Sequence, residues 1–485
     1  MHKTKFGNVH AEGSAVNTIA RHTFLVGALS ATLAPAGVHA QAIPSPTPEQ
    51  ATPVPADAAP LRLRVNAGAA GEAVGTDFIG LSYETKALYW GELKNDPTFV
   101  ALLRGLGSGN LRVGGNQVEF GIWSDDGHPA FVDSRDYPIG PTDAQALAAL
   151  AEAADWNVIC GVSMAHSDPQ RAAAQAAGWQ RALGRRLVGL EIGNEPDVFP
   201  RNHLFGDGYD YARFIADWRR FADAIEQRGL GALLTGPATA RNTYGWTIPF
   251  AHDARGRISL LTHHYYRNHG NPGNSIAWLL SRDPTWPKQL ADLVAAAKAD
   301  GIGFRLAETN TVSGGGLSGG AAEINDTFAS ALWAVRHMVQ LLNAGAVGVN
   351  FHGGGPALYT PIHWDDTTGY SPRPIYFAIQ AASALLPGRV LPTTLDGEAE
   401  AIDAVAVARS DGALALLIGN TGAAPRTVTI DAGRPVTNAT VRHLAGEALD
   451  SKALTTLDPP AQLSVTGPAV SLPLAGTSAS LVVLQ

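Results

Sequence analysis

Val188-Gly-Leu-Glu-Ile-Gly-Asn-Glu-Pro196 joins an apolar strand to a polar end. Leu187, Val188, Leu190 and Ile192 form the kind of run found in strands that are covered on both faces. Pro196 has no N–H for the ladder, so pairing stops there and leaves Asn194 and Glu195 at the strand terminus. A carboxylate in that position is costly unless it is paired or used. Glu195 is therefore the first candidate for chemistry.

The same pattern recurs on both sides of this stretch. Strand-like runs occur at 78–84, 111–115, 156–164, 188–196, 232–238, 260–266, 302–310 and 346–353. Helical patterns at 97–106, 143–154, 169–183, 209–228, 246–253, 287–298 and 322–344 separate them, and another follows at 373–386. Eight strands alternating with eight helices predict a (β/α)8 barrel over residues 76–387. A doubly wound open sheet would need a glycine-rich turn after the first strand. Thr85-Lys-Ala-Leu-Tyr-Trp90 has none, so the barrel is preferred. Beyond 388, short runs broken by Gly, Asn, Asp and Pro predict an antiparallel β-sandwich over 388–485. Leu61-Arg-Leu-Arg-Val65, in the segment 61–75, alternates like a half-exposed strand and is expected to join that sandwich.

Residues 1–40 read as an export signal, with early basic residues, an apolar run from Phe24 to Val38 and the small-x-small site Val38-His-Ala40. A Pro-rich linker fills 41–60. The mature protein is then expected in the periplasm or the medium, with no membrane span. A net charge of −8 without any long basic run argues against nucleic acid binding. Cys160 is the only cysteine, which excludes an intramolecular disulfide and Cys-x-x-Cys metal sites. His263 and His264 are adjacent on a strand and face opposite sides, so neither a metal nor any other cofactor is expected.

In a barrel, functional groups gather at the C-terminal strand ends. Those ends read Glu84, Gly114-Gly-Asn116, His166, Asn194-Glu195, Thr239, His263-His-Tyr-Tyr266, Glu308-Thr-Asn310 and His352: acids, amides and aromatics, with few basic residues. This composition suits an oxygen-rich ligand. Glu195 ends the fourth strand and Glu308 the seventh, which lie across the barrel mouth from each other. Two facing carboxyl groups are what cleavage of a glycosidic bond requires. A carbohydrate-binding protein without turnover would be expected to lack one of them.

Several stretches carry a more specific likeness: Phe78-Ile-Gly-Leu-Ser-Tyr-Glu84, Leu111-Arg-Val-Gly-Gly-Asn116, Asn194-Glu-Pro196, His263-His-Tyr-Tyr266, and Glu308 with the turn Gly314–Gly316. From about residue 61 onward the chain resembles glycoside hydrolase family 79, the β-glucuronidase and heparanase family of the clan A retaining glycosidases. The resemblance implies Glu195 as acid/base, Glu308 as nucleophile and Asn194 on the sugar 2-hydroxyl. It implies sugar-hydroxyl contacts from Glu84 and Asn116, and a tyrosine that orients Glu308. Tyr265 is preferred for that role over Tyr266 because it shares strand parity with His263. Gly314, Gly315 and Tyr359 match positions that hold a uronate carboxylate, so glucuronic-acid-containing glycosides are the expected substrates. Where the family has a tyrosine before the two glycines this chain has Ser313, a shorter hydroxyl that cannot stack. A neutral hexoside or xyloside is the alternative sugar. The short span from Asn116 to Asp155 leaves no room for an excised linker and implies a single-chain enzyme.

Overall fold

The computed structural model describes residues 61–485 except 128, 132, 270–273, 314–322, 356, 398–399 and 454–455. The expected export signal, the linker, Gly314 and Gly315 lie outside the described residues. Eight strands close a parallel barrel: β1 (Ile79–Glu84), β2 (Asn110–Gly114), β3 (Asn157–Val162), β4 (Leu187–Ile192), β5 (Leu234–Thr239), β6 (Leu260–His269), β7 (Gly303–Ser313) and β8 (Gly348–Gly353). Pairing of Val349 with Ile79 through Gly353 with Tyr83 joins β8 to β1 and completes the ring. All eight predicted strands are present, and helices from Pro97–Gly105 to Pro374–Ser383 cover the outside. Proline opens the helices Pro97–Gly105, Pro141–Ala154, Pro169–Leu183 and Pro374–Ser383, where its missing N–H costs no hydrogen bond. Among the described residues, no helix is long and apolar enough to cross a membrane.

Outward strand residues such as Leu81, Tyr83, Leu111, Val113, Leu190 and Val349 are buried beneath the helices. The inward set is unusually polar. At the lower level Arg305 Nη1 donates to Asn350 Oδ1 at 3.0 Å, and Asn350 Nδ2 donates to Asn110 Oδ1 at 2.9 Å. Gly348 makes room for this layer, because any side chain there would run into the Arg305 guanidinium. Higher up, Arg112 links Ser82, Glu191 and Glu308. A barrel filled by hydrogen-bonded ions rather than branched aliphatics leaves a polar floor beneath its mouth.

Two further sheets pack as a sandwich. One has seven strands, with Leu414–Asn420 near its centre; the other has five and includes Leu61–Val65. The N-terminal strand thus joins the C-terminal sandwich, tying the two ends of the described chain together. One of its neighbours corrects the all-antiparallel expectation: Leu61–Val65 runs antiparallel to Thr393–Asp396 but parallel to Arg426–Asp431. The strand Ala469–Leu474 was not foreseen, since Pro473 masks an otherwise regular alternation. Two short strands nearby, Ala461–Gln462 and Val465–Thr466, lie in different sheets. The helix Phe328–Ala344 is buried on nearly every face because the sandwich covers its outer side. Its Arg336 Nε donates to Asp403 Oδ2 at 2.7 Å, which docks barrel and sandwich through a buried ion pair.

Candidate active site

The C-terminal end of β4 is bent by local chemistry. Gly193 and Glu195 both have positive φ, at 77° and 53°. For a glutamate this is an uncommon conformation, worth about 1–3 kcal/mol of strain. Hydrogen bonds hold it: Glu195 N donates to Ala238 O at 2.9 Å, and Asn194 N donates to Glu119 Oε1 at 2.8 Å. Glu119 Oε2 also accepts from Met164 N and Ala165 N, each at 2.9 Å. One buried carboxyl therefore clamps the ends of β3 and β4 together.

Glu308 faces Glu195 because β7 carries a bulge. His263 pairs with Leu306 and His264 with Glu308, leaving Ala307 as the extra residue. Arg305 points inward; without the extra residue, alternation would send Glu308 outward. Its Oε2 accepts from Arg112 Nη1 at 2.7 Å and its Oε1 from Tyr266 Oη at 2.8 Å. His264 Nδ1 lies 3.1 Å from Glu195 Oε1 and 3.8 Å from Glu308 Oε2, bridging the pair. Carboxylate oxygens of Glu195 and Glu308 and a nitrogen of His264 all lie within 4.8 Å of one another.

The two carboxyls are polarised in opposite directions. Burial raises the Glu195 pKa above the ordinary carboxylate range, and the charge of Glu308 adds to it, while His264 opposes the shift. Burial also acts on Glu308, but His352, His264, Arg112 and the Tyr266 hydroxyl outweigh it and hold this carboxyl well below the usual range. Glu195 is biased toward its protonated form and Glu308 toward its ionised one, the division of labour that paired catalytic carboxyls use.

Glu84, Asn116, Tyr359 and Ser313 line the same open cavity of about 200 Å³, with Glu195, Tyr266, Glu308 and His352. Asn194 is buried at the floor, where its Oδ1 accepts from Arg112 Nη2 at 2.7 Å and its Nδ2 donates to Asn116 Oδ1 at 3.1 Å. Asn310 Nδ2 donates to the carbonyls of His352 and Tyr359 at 2.7 and 2.8 Å, which fixes the segment carrying Tyr359. Glu84 Oε2 accepts from Gln117 N at 2.7 Å, yet burial pushes this carboxyl up to about 8. His166 sits instead against Asp136, and Thr239 against His263.

The expectation for Tyr265 is overturned. Its hydroxyl donates to Asp283 at 2.8 Å and its ring stacks on Trp286, outside the barrel, while Tyr266 holds Glu308. Parity itself holds, but His264 rather than His263 faces the mouth. His263 and His264 are 2% and 1% exposed, so local burial gives no sign of which one faces the site. Loss of the Tyr266 hydroxyl removes a hydrogen bond to a charged group, worth about 1.5–3 kcal/mol. Tyr266→Phe is accordingly expected to lower kcat roughly 10- to 100-fold, whereas Tyr265→Phe should leave kcat near the parent value. Equal losses in both would contradict this geometry.

Arg112, His264 and Glu119 were not foreseen as parts of the site. Arg112 had a signal, being the lone charge within the apolar run Leu111–Val113. Glu195, His264 and Glu308 present a donor set that can hold a metal ion. Any cation there would share Glu308 Oε2 with the Arg112 guanidinium, 2.7 Å away, so the donor set fits an ion poorly.

Glu84, Glu92 and Glu119 are raised by burial to about 8, 7 and 7, from 4.5 when unburied. The folded state thus holds protons that the unfolded chain releases, and their contribution to stability is lost as pH rises through the folded values. His263 and His337 are pulled down by burial to about 3, and their opposing effect ends near 6.5. Between pH 6.5 and 8.5 the urea midpoint should therefore fall; a rising midpoint would show these carboxyls to be ionised already.

No family model matches the chain, and no curated protein sequence matches it. Solved structures do. A 4-O-α-L-rhamnosyl-β-D-glucuronidase from Fusarium oxysporum superposes with a TM-score of 0.73 at 20% identity, over 87% of this chain and all of that one. The chain shares the fold of that enzyme. A family 51 arabinofuranosidase from Xanthomonas axonopodis gives 0.69 at 18% identity over 88% of this chain and all of the other. The catalytic domain of a family 30 xylanase C from Talaromyces cellulolyticus gives 0.58 at 12%, over 87% of this chain and all of that one. The likeness extends over both the barrel and the sandwich.

Proposed function

We propose that the chain is a retaining glycoside hydrolase that cleaves β-glucuronides through a covalent glycosyl-enzyme intermediate. The observation that carries the reading is the oppositely polarised pair Glu195 and Glu308, with oxygens within 4.8 Å. Retaining enzymes place their carboxyls about 5–5.5 Å apart, whereas inverting enzymes leave roughly 6.5–9.5 Å for a water. Glu308 attacks the anomeric carbon as the glycosidic C–O bond breaks, and Glu195 gives its proton to the departing oxygen. The ester that forms neutralises Glu308, so the Glu195 pKa falls. Glu195 then takes a proton from water, whose oxygen attacks the same carbon and frees Glu308.

Glucuronide preference is supported by the resemblance, by Tyr359 in the cavity and by the charge balance of the pocket. With Glu84 raised to about 8 and Glu195 also raised, Glu308 is the anion facing the sugar, and Arg112 offsets it. A uronate can enter without meeting three carboxylates. The Fusarium neighbour is itself a glucuronidase. Ser313, in place of the family's tyrosine, favours a second reading with a neutral hexoside or xyloside.

Assays with 4-nitrophenyl β-glucuronide, β-glucoside and β-xyloside separate the two readings, and proton NMR of the first-formed product reads the anomer. Hydrolysis of the glucuronide with initial release of the β-anomer is expected. Cleavage of the neutral sugars alone would refute the uronate reading; initial α-anomer would refute retention. Export by residues 1–40 is a further proposal, tested by sequencing the N-terminus of the mature protein, which should begin at Gln41.

A further inference from the structure

The catalytic cavity has two sides, and they differ in charge. Around Glu308 stand Tyr266, His352, Tyr359, Ser313 and Glu84. The turns after β4 and β5, the first of which carries Glu195, contribute Val198, Arg201, Asn202, Ala240 and Arg241 to the lining. The group bonded to the oxygen that Glu195 protonates must occupy the second side. We propose that Arg201 and Arg241 form an anion subsite there, which selects leaving groups carrying a carboxylate or another anionic group. The inference rests on the glycosidase reading but not on the identity of the sugar.

Both arginines are exposed, and neither guanidinium has an ion-pair or hydrogen-bond partner among the described residues. Three partly exposed arginines elsewhere, Arg135, Arg257 and Arg409, are each paired with a carboxylate. Together they bring two positive charges to one rim of the cavity.

Their backbones are fixed. Asp197 accepts from Ala240 N at 2.8 Å and from Arg241 N and Asn242 N at 3.1 Å each, fastening the turn after β5 to the turn after β4. Asn202 N donates to Val198 O and Phe199 O at 3.1 and 3.0 Å, closing the turn that carries Arg201. Asp197, the carboxylate nearest to Arg201 in sequence, is thus committed to backbone N–H groups, that of Arg241 among them. Two planar, always-charged donors on a fixed base beside the proton donor suit a carboxylate, which guanidinium groups bind through paired hydrogen bonds.

The test compares 4-carboxyphenyl with 4-carboxamidophenyl glycosides of whichever sugar is cleaved, using the parent, Arg201→Gln, Arg241→Gln and the double variant. Comparing the acid-to-amide ratio of kcat/KM between proteins cancels the intrinsic difference in leaving ability. The ratio is expected to fall about tenfold in the double variant, the effect of two partly exposed ion pairs. Each single variant should give part of that fall, and rising salt should lower the parent's ratio. An unchanged ratio in the double variant overturns the subsite. Loss of glucuronide-over-glucoside preference without a change in the aglycone ratio also overturns it, and places the arginines on the sugar's own carboxylate. Failure of the parent to cleave any of these glycosides sinks the glycosidase reading itself.

Discussion

Glu308→Gln is expected to lower kcat by about 10⁴-fold or more, a loss of about 5 kcal/mol of transition-state stabilisation. The amide keeps the shape and can still meet Tyr266 and Arg112, but it has no charge with which to attack. The ground-state fold should survive, so substrate should still bind while turnover is lost. A shorter variant, Glu308→Ala, opens space for an external anion. Azide should then restore cleavage of an activated aryl glycoside and yield the α-glycosyl azide, since a single displacement inverts the anomeric carbon. Parent-like turnover by Glu308→Gln would remove this residue from the mechanism. Rescue that instead gave the β-azide would assign the nucleophile elsewhere.

The second large effect is expected at Arg112. Its guanidinium is fully buried and meets Glu191 at 2.6 Å, Glu308 at 2.7 Å, Asn194 at 2.7 Å and Ser82 at 3.1 Å. Burial works against its charge, but Glu191 and Glu308 outweigh that and keep it protonated. Arg112→Met leaves two carboxyls without their cation, and breaking a buried pair in this way costs about 3–5 kcal/mol. Equilibrium unfolding in urea should show that loss. Arg112→Met with Glu191→Gln should recover part of it, because one stranded charge is gone. A separate consequence is catalytic. With Arg112 absent, the Glu308 pKa rises, and the acidic limb of kcat/KM moves to higher pH. A stable Arg112→Met protein with an unshifted limb would show the pair to be neither structural nor electrostatic.

Much of the architecture was legible in the sequence because it is local. The eight apolar runs, the helices that open on proline and the turn at Asn194-Glu-Pro196 follow from backbone geometry and neighbouring residues. The candidate pair was legible too, since strands four and seven face each other in any such barrel. The site's supporting residues were harder to see. Arg112 looked like one charge in a strand, and its partners lie 79, 82 and 196 positions away. Glu119 gave no sign of clamping β3 to β4, because the N–H groups that donate to it belong to two other segments.

The sequence by itself determined the order of strands and helices, the strand ends where chemistry gathers, and the two carboxyls placed there. Only the tertiary structure decided which of two adjacent residues faces the mouth. Both faces of a barrel strand are buried, so Tyr265 and Tyr266 cannot be told apart by hydrophobicity, and the bulge at Ala307 resets the parity that places Glu308. The structure also decided which carboxyl is biased toward the protonated form. That depends on burial and on charges brought within 4 Å from distant parts of the chain, and neither quantity is a property of the local sequence.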